Sequence, residues 1–170
     1  MPCGDKPEEE KIAIRELGER LPDLDVTIYV SRRMLKAYKS KVIPLLSKHH
    51  PLPPLQAWLV RTIRWIVQLK KCKTVCARGL QSSLSVRIHV LETKWVERYD
   101  VRGLGLKDEE DMEVLRVALA TGHGTLLVST DRHFLEDLRL HELRARYPDE
   151  GGRLRVVRPS ELLRELEFPP

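Results

Sequence analysis

Short apolar runs alternate along most of this chain with segments patterned as amphipathic helices, and that rhythm restricts its fold more than any other feature. VTIYVS (residues 26–31) is β-branched and aromatic and reads as a strand. SVRIHVLE (85–92) alternates apolar with polar residues like a half-exposed strand, GTLLVS (124–129) is a continuous apolar run, and RLRVV (153–157) is a last strand. Helical patterns fill the intervals. DKPEEEKIAIRELGERL (5–21) has an acidic first turn with Ile12, Ile14, Leu17 and Leu21 at near-helical spacing, and RRMLKAYKSKVIPLLSKHH (32–50) is stopped by PLPP. Another helix is expected from Leu55 to about Lys71, one opening at Asp108, one over DRHFLEDLRLHELRARY (131–147), and a short one after Pro159 and Ser160, with DEGG as a turn. Residues 72–85 carry no decisive pattern. Strands separated by helices pair in parallel, so the expected fold class is α/β with a mainly parallel sheet covered by helices.

A chain of 170 residues suits one domain spanning 1–170. With 42% hydrophobic and 32% charged residues it can build a core, which excludes a disordered chain. No window approaches the roughly 18 unbroken apolar residues of a membrane span, and MPCGDKPEEEKIAI lacks a basic-then-apolar leader, so a cytoplasmic protein is expected. Cys3, Cys72 and Cys76 are too few for a disulfide framework; Cys72 and Cys76 would share one side of a helix and read as small apolar residues. The net charge of +5 favours an anionic partner, nucleic acid above all.

The acids are unevenly placed. KDEEDMEVLRVALATGHG puts four of them, Asp108 to Asp111, at a helix start, and the run from Gly124 ends in Ser129, Thr130 and Asp131. A helix that precedes a strand in a βαβ unit starts at the edge where the strand ends, which brings Asp111 and Asp131 to one sheet edge. Asp111 precedes Val114 by three and Leu115 by four, so it projects over the packing face, while Glu109 and Glu110 point elsewhere. Ligands of open α/β sheets bind beyond the carboxyl ends of strands. Two carboxylates converging there repel each other, and a hard cation such as Mg²⁺ or Mn²⁺ relieves the repulsion and supplies charge for phosphodiester cleavage. Acids in a first turn also offset the helix dipole, and that reading is taken for Asp108, Glu109 and Glu110.

DEEDMEVLRVALATGHGTLLVSTDRHFL resembles the C-terminal half of a PIN domain, a fold of metal-dependent ribonucleases that includes toxins of toxin–antitoxin pairs. The shared pattern is an acid opening a helix, a small-residue helix end, an apolar strand, and Ser/Thr-x-Asp followed by a basic residue and Phe; RLRVVRPSELL is similar to the family's last strand and helix. The resemblance covers residues 8–48 and 86–167 and implies a three-layer fold with a mainly parallel sheet. It implies a catalytic site in which Asp111 and Asp131 hold the metal and Ser129 orients a ligand or water. It also implies RNA as substrate, and an antitoxin-like protein or a second copy of the chain as partner. The family's central first strand, ending in Asp, is not evident, and Lys36, Ala37 and Tyr38 stand where another acid is expected. Asp5, Glu8 or Glu9 could substitute, or the chain as written begins downstream of its natural start.

On the helix from Leu55, Arg61, Arg64, Gln68 and Lys71 form one polar stripe suited to a phosphate backbone, opposite Leu55, Leu59, Ile63 and Ile66. Trp58 and Trp65 share a face and read as core. The expected function is a metal-dependent endoribonuclease; the alternative is a catalytically inactive PIN-like module that binds RNA or protein, or a subunit of a larger assembly.

Overall fold

Two sets of paired strands, each containing a parallel pair, carry the strands of this chain. The structure, a computed structural model, describes residues 7–46, 48, 74–76 and 87–167. It is mixed α/β and divides into two compact units, Leu21–Tyr99 and Met1–Arg20 with Asp100–Pro170.

In the unit Leu21–Tyr99, β1 (Thr27–Ser31) runs parallel to β3 (Arg87–Leu91), with Thr27 opposite Arg87 and Ser31 opposite Leu91. Ile88 and Val90 are buried between the less buried Arg87 and His89, the alternation expected of a half-exposed strand, and Val30 and Leu91 are buried toward the strand ends. β2 (Thr74–Cys76) pairs antiparallel with β3. Cys76 therefore lies in a strand rather than the expected helix, and Cys72 lies outside the described residues. Ser31 caps the short helix Arg32–Ala37, its Oγ accepting the Met34 N–H at 3.1 Å. The helix widens to π geometry over Tyr38–Val42 and regains α geometry over Ile43–Leu46. Pro44 has no N–H for the Ser40 carbonyl, which explains why regular hydrogen bonding gives way there.

In the unit Met1–Arg20 with Asp100–Pro170, α1 (Glu8–Arg20) packs on the final helix, Pro159–Glu167. Its inward side is Ala13 with Glu10; Ile12 and Ile14, expected on the apolar face, are exposed. Buried Glu10 satisfies the start of the final helix, accepting the Ser160 N–H at 3.2 Å and its hydroxyl at 2.6 Å. The acidic helix α2 (Glu109–Ala120) buries Leu115, Val117, Ala118 and Leu119 and leads through Gly122 into β4 (Thr125–Val128). β4 runs parallel to β5 (Leu154–Val157), Thr125 facing Leu154 and Val128 facing Val157. Of the apolar run only Leu127 is buried; Leu126 and Val128 are exposed.

Two helical expectations change for identifiable reasons. Residues 131–147 do not form one helix. A π-helical turn over His133–Asp137 ends at extended Leu138, and α3 (Leu140–Arg146) follows. The Arg139 N–H there donates to Leu104 O at 2.9 Å, a bond that diverts the chain from the helical ladder. That approach also depends on Gly105: at φ +97° its missing Cβ would lie 1.9 Å from Asp137 O. The DEGG segment, expected as a turn, is inside a short helix, α4 (Pro148–Arg153), opened by Pro148. Among the described residues no helix is long and apolar enough to cross a membrane.

Candidate metal centre

Four acids open α2, and they have different work. Asp108 is the cap: its backbone is extended and its carboxylate accepts the Glu110 N–H at 2.6 Å, satisfying one of the helix's free donors. Glu109 pairs with Arg116 at 2.7 Å. Asp111, later in the same turn, is 19% exposed, against 49% for Glu109, as expected of an acid on the packing side.

The other half of the centre comes from the turn after β4. The Ser129 N–H still donates to Val157 O at 3.1 Å, prolonging the strand pairing by one residue. The Ser129 hydroxyl oxygen then accepts the Asp131 N–H at 2.9 Å, and Asp131 Oδ1 accepts the His133 N–H at 2.9 Å. The Asp131 carbonyl accepts the N–H groups of Phe134 and Leu135, each at 3.2 Å. Ser and Asp form such nested side-chain-to-backbone bonds readily. They turn an apolar strand into a helical turn, which explains locally why the strand stops on an aspartate.

The turn delivers His133 to the acids. Its Nδ1 lies 2.9 Å from Asp111 Oδ2, 22 residues away in sequence, and 3.6 Å from Asp131 Oδ1. One ligand-capable atom from each of Asp111, Asp131 and His133 lies within 4.8 Å of the others, and among the described residues this is the one such group of three. The hydrogen bond to Asp111, aided by the charge of Asp131, raises the His133 pKa above its ordinary 6.5. When protonated, this imidazole compensates two carboxylates.

Asp111 and Asp131, expected together, are together. Ser129 is beside them, and its hydroxyl oxygen accepts the Asp131 N–H, so it shapes the turn that carries Asp131. Glu8 and Glu9 do not join: Glu8 pairs with Lys11 at 3.6 Å, and Glu9 pairs with Arg164. Asp5, Arg61, Arg64 and Lys71 lie outside the described residues. His133 was not among the expected site residues. The signal that finds it is the spacing D-x-H after a strand: a turn capped by its own Asp brings the second residue beyond back toward that carboxylate.

The donor set fits a divalent ion. Carboxylate oxygen and imidazole nitrogen are both common ligands. The separations of 2.9 and 3.6 Å bracket the ~3 Å that neighbouring ligands keep around an ion bound at ~2.1 Å. Asp131 and His133 are 51% and 46% exposed, which leaves an approach from solvent. Comparison of the chain with family models, with curated proteins and with solved structures finds no match.

Proposed function

We propose that this chain is a PIN-like, metal-dependent ribonuclease that holds Mg²⁺ or Mn²⁺ with Asp111 and Asp131. The observation that carries the reading is the convergence of Asp111 and Asp131, from a helix start and a strand end, on one point. The mixed α/β class and the PIN-like pattern of residues 108–135 support the finer assignment to a three-layer PIN-like fold. A bound cation supplies charge for a phosphate oxygen and lowers the pKa of the attacking water. Asp111 and Asp131 hold it, and Ser129 aims Asp131 by fixing the backbone of its turn. Water oxygen bonds to phosphorus as the bond from phosphorus to the 3′ oxygen breaks, and the water's proton ends on that oxygen, leaving an alcohol and a 5′-phosphate. Arg61, Arg64 and Lys71 position the RNA backbone.

A second reading, a catalytically inactive module that binds RNA or an antitoxin-like protein, is favoured by Lys36, Ala37 and Tyr38 at the position of a family acid. Two carboxylates hold Mg²⁺ weakly, because it prefers six oxygens in strict geometry; activity should be low and need millimolar Mg²⁺ or, better, Mn²⁺. The test is cleavage of a labelled single-stranded RNA with and without metal, beside Asp131→Asn. Metal-dependent cleavage lost in the variant supports the nuclease. Equal cleavage by both assigns the activity to a contaminant, and RNA binding without cleavage supports the module.

A further inference from the structure

We infer that His133 is the third protein ligand of this centre, and that its nitrogen selects a borderline transition ion, Mn²⁺ or Zn²⁺, over Mg²⁺. The inference rests on the metal-centre reading proposed above and concerns which ion the centre takes. Nδ1 is the imidazole atom that faces both carboxylates, at 2.9 Å from Asp111 Oδ2 and 3.6 Å from Asp131 Oδ1. An ion placed among those oxygens therefore meets the nitrogen lone pair of neutral His133.

His133 is also held in place before any ion arrives. Its N–H is bonded to Asp131 Oδ1, and the next residue, Phe134, is buried. The backbone of His133 is thus fixed by the same turn that carries one of the acids, and its ring is bonded to the other, which lowers the ordering cost of bringing three ligands together. Three protein donors with solvent at the remaining positions is the usual arrangement of catalytic zinc sites. Imidazole suits Zn²⁺ and its neighbours, whereas Mg²⁺ favours oxygen and is reluctant to give up its waters.

The experiment uses the full chain, wild type and the variants His133→Ala, His133→Asp and Asp111→Asn, with folding checked by circular dichroism. Mn²⁺ binding is followed by the electron paramagnetic resonance signal of the free ion, with Zn²⁺ and Mg²⁺ as competitors. Nitrogen-15 NMR follows the His133 ring on addition of Zn²⁺. The expected results are a Zn²⁺-induced shift of the Nδ1 resonance and a loss of about tenfold or more in Mn²⁺ and Zn²⁺ affinity in His133→Ala, with Mg²⁺ affinity changed far less. His133→Asp, which offers oxygen instead, should raise Mg²⁺ relative to Zn²⁺. If His133→Ala binds Mn²⁺ and Zn²⁺ like wild type while Asp111→Asn does not, His133 is not a ligand and the two-carboxylate centre stands. If wild type binds neither ion, both this inference and the metal-centre reading fail.

Discussion

Asp100 and the Asp111–Asp131 pair lie in the same unit, and each faces a basic side chain, but the two partners differ in kind. Asp100 Oδ1 accepts the Arg102 Nε–H at 2.8 Å and its backbone N–H at 3.1 Å, and Oδ2 accepts from Arg102 Nη2 at 3.1 Å. The Asp100 carbonyl accepts from Arg146 at 2.8 Å, and its N–H donates to the Tyr147 hydroxyl at 2.7 Å. The Arg102 side chain, first of all, lowers the Asp100 pKa to about 2. Arginine keeps its proton at any working pH and cannot act as a metal ligand, so this corner is a fixed piece of structure. At Asp111 and Asp131 the facing group is the His133 imidazole, which can carry a proton or, once neutral, offer a nitrogen donor. An acid closed by arginine reads as architecture, and acids closed by histidine read as a site able to exchange a proton for an ion.

The largest expected difference between the two regions is functional. Asp131→Asn should abolish metal-dependent RNA cleavage, whereas Asp100→Asn should leave the rate close to wild type; equal losses in both would break the distinction. Next is Gly105, in the loop between Asp100 and the acidic helix, where it lies against the carbonyl of Asp137. Gly105→Ala combines an unfavourable positive φ with a clash at the Asp137 carbonyl and should cost at least about 2 kcal/mol in urea unfolding. Because Asp137 closes the His133 turn, Mn²⁺ affinity should fall as well.

Much of this was legible in the sequence, and the exceptions have physical causes. The strands near residues 27, 87, 125 and 154 and the acidic helix announce themselves, because β-branched runs and a capping Asp act locally. The convergence of Asp111 and Asp131 follows from a helix start and a strand end meeting at one edge. What stayed hidden depends on distant contacts. The break at Leu138 comes from the Arg139 bond to Leu104, and the inward side of α1 is set by Glu10 reaching Ser160. The bond from His133 to Asp111 spans 22 residues, whereas its place two residues after Asp131 is a local signal.

A smaller effect separates cap from ligand within one helical turn. Asp108→Ala should cost about 1 kcal/mol of stability through the lost cap, measured by urea unfolding, and leave Mn²⁺ binding intact. Smallest are the pH effects in metal-free protein, read by NMR titration and thermal unfolding. The His133 pKa is raised on folding, so its contribution is fully present below 6.5 and is lost as pH rises through the raised value. Asp100 is lowered, so its contribution is present above 3.8 and is lost as pH falls toward about 2. Opposite slopes in the two windows are expected, and His133→Gln should remove only the first.

The most direct measurement is the anomalous scattering of Mn²⁺ in crystals of the full chain grown with the ion. A single strong peak is expected among Asp111 Oδ2, Asp131 Oδ1 and His133 Nδ1, ~2.0–2.3 Å from each. A well-ordered turn with no peak there, or a peak only at other residues, would contradict the claim that these side chains form a metal centre.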